Sequence, residues 1–139
     1  MDTGVFVALF AGDEEATPWA QRVLEEMVVR SVLAVSPAVY AELVAGERSP
    51  EMVEAFFSEK GIEVDWEIGR EVWRTAGSRY GSYARDRKRR DDARPRRILA
   101  DFLVGAHALH LGGRTLLTTD TRIFANRFPE LRIVAPEEL

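Results

Sequence analysis

ILADFLVGAHALHLGGRTLLTTD, residues 98–120, is the stretch on which the fold turns. Asp101 is the only acid among the apolar residues from Ile98 to Leu109. A carboxylate beside a core is costly unless something pairs with it. The segment reads as a helix from about Pro95 to Leu111, stopped by Gly112-Gly113. Thr115 to Thr118 follows as a short strand, and Asp120 stands directly after it. A helix, a tight stop, a strand and then an acid form one α/β unit, and sites in open parallel sheets lie beyond the carboxyl ends of strands.

The same alternation extends outward. Residues 16–29 place Trp19, Val23 and Met27 at helical spacing. Val32 to Val35 is a buried strand. Ser36-Pro37 opens a helix that runs to about Gly46, and Ser49-Pro50 repeats that start signal, with serine as cap and proline in the first turn. Gly61 ends the second of these helices, and Ile62 to Asp65 alternates like a half-buried strand. A helix is expected over 66–84 from Val72, Ala76, Tyr80 and Tyr83, weakened by Gly77 and Gly81 at about 1 kcal/mol each. Asp91 to Pro95 reads as a loop, 120–126 as a short helix and 131–134 as a last strand. Strands alternating with helices give one α/β domain over 1–139 with a mainly parallel sheet.

Composition narrows the chemistry. The chain has 139 residues, 46% hydrophobic, which suits one domain with a real core. It has no cysteine, which excludes disulfides, thiolate metal sites and cysteine nucleophiles and fits a reducing cytoplasm. His107 and His110 are too few for a histidine-rich metal site. They read as edge-of-core or surface residues, and Trp19, Trp66 and Trp73 as core or interface. No apolar run approaches the roughly 20 residues that span a bilayer, so no membrane is expected. The N-terminus lacks the basic region of a secretory signal. The net charge of −4 hides a basic run at 85–97 that includes Arg87, Lys88, Arg89, Arg90 and Arg94. Such a run is a solvated face, a surface for a polyanion or a docking face for an acidic partner.

Asp2, Glu42, Asp101 and Asp120 each lie in or against an apolar run, far apart in sequence. Each has an ordinary reading: Asp120 as a helix cap, Glu42 as a boundary carboxylate, Asp101 as an acid near a helix N-terminus, Asp2 as a terminal residue. Together they suggest a shared cation. Their hard oxygens suit Mg2+, with Mn2+ as a substitute.

The order of these pieces resembles the PIN domain, and within it the VapC-like toxins of toxin–antitoxin pairs. The residues that carry the resemblance are Asp2-Thr3-Gly4 leading into Val5 to Leu9, then Ser36 with Glu42 and Gly46. After these come Asp101 in its alanine-rich helix, Thr118-Thr119-Asp120 with Phe124, and Arg132 to Pro136. The resemblance spans nearly the whole chain. It implies a three-layer α/β/α fold with a central, mainly parallel sheet. Family members carry a hydrophobic strand before the first aspartate, and here only Met1 precedes Asp2. The first strand is therefore expected to be truncated, with the native start upstream; if the chain instead begins at Met1, Asp2 is expected to be poorly held and its metal role the least certain of the four.

The resemblance further implies a Mg2+-dependent endoribonuclease toxin. Asp2, Glu42, Asp101 and Asp120 are its metal-site acids, and Thr118 orients water or a carboxylate. A cognate antitoxin is its partner, RNA its substrate and a homodimer its assembly. Arg87, Lys88, Arg89, Arg90 and Arg94 become candidates for the RNA backbone. Two other functions remain open: a PIN-like RNA- or protein-binding module that has lost catalysis, and a housekeeping RNA-processing nuclease.

Overall fold

The computed structural model describes residues 1–46, 48–94 and 97–136. The elements run α1 (Thr3–Ala11), α2 (Ala16–Arg30), β1 (Leu33–Val35), α3 (Pro37–Ala45), α4 (Pro50–Lys60) and β2 (Ile62–Val64). Then come α5 (Arg70–Arg90), α6 (Leu99–His110), β3 (Thr115–Leu117), α7 (Thr121–Arg127) and β4 (Arg132–Val134). This is the α/β alternation expected from the sequence.

The strands form two parallel pairs. Leu33, Ala34 and Val35 of β1 face Ile62, Glu63 and Val64 of β2. Thr115, Leu116 and Leu117 of β3 face Arg132, Ile133 and Val134 of β4. Met1 and Asp2 tie the two pairs together. The Met1 amino group donates to the Ala34 carbonyl at 2.8 Å, and the Asp2 N–H donates to the Leu117 carbonyl at 2.9 Å. The spatial order is thus β2, β1, the Met1–Asp2 segment, β3, β4. Parallel neighbours need crossovers, which α3 with α4 and α7 supply. Asp2, Ser36 and Thr118 consequently all stand at one end of the sheet.

The core is a single cluster centred on Phe6, Val35, Val39, Phe102, Leu116, Phe124 and Phe128. Gly105 of α6 lies against the Phe128 ring, and a Cβ there would come within 2.3 Å of it. The glycine lets the ring seat on the helix that carries Asp101. Phe102 also meets Tyr80 and Tyr83 of α5, with ring centroids 5.3 and 5.4 Å away.

Several expectations need correction. The helix expected over 66–84 spans Arg70–Arg90 instead, so Arg85 to Arg90 of the basic run are helical. Gly77 meets open space and Gly81 meets only the tip of Arg85. Packing against α6 outweighs their low propensity, and basic residues in the last turn suit the helix dipole. The next helix begins at Leu99, with Ile98 extended; the expected start at Pro95 lies outside the described residues. Trp66 and Trp73 are 60% and 52% exposed, which rules out the core and leaves the interface half of their expected reading, whereas Trp19 packs against the core. His107 is 4% exposed, deeper than the edge position expected, because its Nε2 reaches Asp65 Oδ2 at 3.0 Å. No helix among the described residues is long and apolar enough to cross a membrane.

Candidate active site

Asp2, Glu42, Asp101 and Asp120 line one cleft of about 580 Å³. Thr3, Gly4, Arg97 and Phe124 are among its other walls. All four acids are half-buried. Each arrives from a different place: Asp2 before α1, Glu42 on α3, Asp101 in the first turn of α6, Asp120 between β3 and α7.

Each carboxylate is held by a distinct group. The Thr118 hydroxyl is fully buried and works in both directions. It accepts the Asp120 N–H at 3.0 Å and donates to Asp2 Oδ2 at 2.7 Å. Asp2 is therefore fixed through its backbone by Leu117 and through its side chain by Thr118. This corrects the expectation that Asp2 is loosely held. The Thr3 hydroxyl donates to Glu42 Oε2 in a short hydrogen bond. Asp101 Oδ2 accepts the Ile98 N–H at 3.1 Å, the usual service of an acid at the third helical position. Arg97 reaches Asp120 Oδ2 at 2.5 Å. Asp120 makes no side-chain cap to α7, so its expected alternative as a helix cap is not what holds it.

The approach of α1 to the β3–α7 loop depends on Gly4. A Cβ at that position would stand 2.3 Å from Thr119 Oγ1. The side chain would press on Thr119 and stand 3.4 Å from Asp2 Oδ2, which explains glycine at that place in the Asp-Thr-Gly motif.

The electrostatics favour a cation. Burial pushes the Asp2 carboxyl above its ordinary range, the Thr118 hydroxyl draws it back, and the charge of Asp101 pushes it up again. Burial likewise raises Asp101. The Ile98 N–H and then the Arg97 charge oppose that rise, and Asp120 adds to it. Asp2 and Asp101 thus each face another carboxylate. Among the described residues, no three of these acids stand close enough to wrap an ion by themselves. Mg2+ commonly binds through one or two carboxylates and fills its other positions with water and phosphate oxygens. The donor set and its mutual repulsion therefore fit such an ion.

Sequence reading missed four contributors. Thr3 stood inside the quoted motif, and a hydroxyl beside an acid was the only signal for it. Arg97 was counted with the basic run rather than with the acids. Arg122 and Arg127 of α7 are isolated in sequence and gave no signal. Of the five basic residues singled out, Arg87 and Arg94 line a second cleft that adjoins the acids. Lys88, Arg89 and Arg90 do not line it, and Arg89 pairs with Asp86 at 2.5 Å.

No curated protein sequence matches the chain. Among solved structures, the chain is similar to VapBC-1 from nontypeable Haemophilus influenzae. It shares 23% identity and a TM-score of 0.66, over 96% of this chain and 94% of that one. It is also similar to VapBC2 from Rickettsia felis, solved bound to a DNA fragment from their promoter. Here the identity is 20% and the TM-score 0.59, over 97% and 96% of the two chains. At these identities the likeness establishes the fold. The PIN domain family matches residues 1–129, which is most of the chain and includes all four cleft acids. This chain belongs to the PIN-domain family.

Proposed function

We propose that this protein is a Mg2+-dependent endoribonuclease and the toxin of a VapC-like toxin–antitoxin pair. One observation carries the reading: four carboxylates spread from residue 2 to residue 120 line a single cleft at one end of the sheet. Membership of the PIN-domain family and a fold shared with two VapBC structures support it.

Asp2 and Asp101 are the best-placed direct ligands, because each is positioned by hydrogen-bond donors and faces a second acid. Glu42 and Asp120 complete the set, and Mn2+ is a substitute for Mg2+. The chemistry such an ion supplies is activation of a water for in-line attack on a phosphodiester and neutralisation of charge on the phosphate. The protein's own part is positioning. Thr118 locks Asp2 to the β3 end, Thr3 fixes Glu42, and the Ile98 N–H orients Asp101. Arg97 offsets the negative charge of Asp120. The two VapBC structures also support an antitoxin as binding partner, and the resemblance extends to a homodimer and a cytoplasmic setting.

The test is cleavage of total RNA by the full chain with Mg2+, with EDTA, and by Asp101→Asn. The expected result is cutting with Mg2+ and a loss of about a hundredfold or more in the substituted protein, the scale of removing a group that acts on the reacting phosphate. Activity that survives both EDTA and the substitution eliminates the reading.

A binding module without catalysis is the second reading. It is favoured by the Arg97–Asp120 pair, in which a fixed cation already answers one cleft acid. Its signature is RNA bound in Mg2+ and Mn2+ but left intact.

A further inference from the structure

A second cleft of about 600 Å³ shares a wall with the acid cleft, and Arg97 and Asp101 belong to both. Its other walls bring Arg87 from α5, Arg94 from the segment after α5, and Arg122 and Arg127 from α7. Five arginines thus face two aspartates, Asp92 and Asp101, in a chain whose net charge is −4. The sequence gives only part of this cluster, because α7 contributes from more than twenty residues beyond the basic run.

The arginines differ in how far they are committed. Arg94 grips Asp92 through its guanidinium, with Nε at 2.8 Å from Oδ1. Arg127 is held by Asp86 at 2.8 Å and lies over the Tyr83 ring. Arg97 spans from one cleft to the other: its backbone N–H donates to the Tyr83 hydroxyl at 2.8 Å, and its guanidinium reaches Asp120. The side chains of Arg87 and Arg122 make no ion pair or hydrogen bond among the described residues; Arg87 is engaged through its backbone carbonyl, which accepts the Asp92 N–H at 3.2 Å. The Arg87 guanidinium only senses Asp92 through space. These two guanidinium groups are the ones available to an incoming anion.

We propose that this arginine-lined cleft holds the phosphate backbone of the single-stranded RNA that flanks the scissile bond. Arg87 and Arg122 serve as its free phosphate ligands, and Arg97 is the junction to the acids. The proposal rests on the ribonuclease reading and assigns the substrate's path through that site. Planar guanidinium groups match phosphate oxygens two at a time, and their charge stays fixed at any working pH. A strand placed with one phosphate at Asp101 runs directly into this cleft, because Asp101 stands in the shared wall. The acidic cleft alone would repel a polyanion. The adjacent positive cleft supplies the attraction, and Asn126 in its wall offers amide hydrogen bonds to a base edge or ribose.

The test uses the full-length protein in EDTA, so that binding is read without cleavage. A labelled short oligouridylate is titrated by fluorescence anisotropy across a salt series. Arg87→Gln with Arg122→Gln is compared with Lys88→Gln with Arg90→Gln, which removes the same charge from outside the cleft. The cleft pair is expected to weaken binding about tenfold and to flatten the slope of log affinity against log salt by about 1.4, two single-strand phosphate contacts. The outside pair is expected to change binding by less than about twofold, as a loss of distant, screened charge. An equal loss from both pairs, an unaffected cleft pair, or a parent protein that binds no oligonucleotide overturns the proposal. So does an acidic peptide whose binding depends on Arg87 and Arg122 while the oligonucleotide's does not. A failure of Mg2+-dependent cleavage, by contrast, ends the nuclease reading alone, since binding is measured in EDTA.

Discussion

At the scale of single residues, hydroxyls and one imidazole do the positioning. Thr118 couples two cleft acids through one oxygen, accepting from the Asp120 backbone and donating to Asp2. His107, on the far half of α6, is a second buried polar group with a different consequence. Burial holds its pKa below the ordinary 6.5, the Asp65 hydrogen bond opposes that, and the Met1 ammonium charge lowers it further. Arg70, Glu71 and His110 line the same small cleft of about 250 Å³. As a neutral imidazole, His107 can donate from Nε2 to the Asp65 carboxylate. The sign follows from linkage. Below pH 6.5 the unfolded chain takes up a proton that the folded chain resists, so the stability due to this burial is present above 6.5. It is lost as pH falls through the lowered folded pKa. Urea midpoints at pH 7.5 and pH 5.5, compared between the parent and His107→Gln, are the check. The parent should lose more stability on acidification than the variant, since glutamine can still donate to Asp65. Equal losses in the two proteins would remove His107 as the source.

At the scale of elements, two matching start signals turn out to differ. Ser36-Pro37 and Ser49-Pro50 read alike in sequence. Ser49 accepts the Met52 N–H at 3.2 Å and caps α4, whereas Ser36 makes no cap to α3 and its hydroxyl is buried without a partner among the described residues. Ser49→Ala should therefore cost about 1 kcal/mol. Ser36→Ala should cost close to nothing or stabilise, because it removes an unsatisfied buried hydroxyl. Chemical denaturation of both variants checks this, and an equal loss would contradict it. The pair also shows what was legible in the chain. Cap signals, glycine stops and apolar periodicity are local, so they placed β1, α4, β2, β3 and α7 within a residue or two. The extent of α5 was not local. Tyr80 and Tyr83 against Phe102 hold it past two glycines, and that contact joins residues about twenty apart. The acids were legible for a further reason: a carboxylate in an apolar run is conspicuous without knowing its neighbours. Their partners were not. Arg97 looks like any residue of a basic run, and only the fold sets it against Asp120. Gly105 is ordinary in sequence, and its purpose is visible only once Phe128 lies on it.

At the scale of the whole molecule, the acid cleft is a place where folding concentrates like charge. Asp2 comes from the link between the two strand pairs, Asp101 from a helix packed on α5, and Asp120 from the β3–α7 turn, so the repulsion exists only in the folded state. A divalent cation that binds only the folded state stabilises it by RT ln(1 + [L]/Kd), about 2.7 kcal/mol at a hundredfold excess over Kd. For a chain of this length that is a rise in melting temperature of roughly 8 °C, at about 3 °C per kcal/mol. Millimolar Mg2+ should produce a rise of that order, while NaCl at equal ionic strength should not. Asp101→Asn separates this from general screening. Asparagine still accepts the Ile98 N–H, so α6 keeps its start, and one of the repelling charges is gone. The variant should melt higher than the parent in EDTA and gain less from Mg2+. If the parent gains nothing from Mg2+, or if Asp101→Asn gains as much as the parent, then the four acids do not share a cation. The stabilisation at their cleft would then come from Arg97 alone.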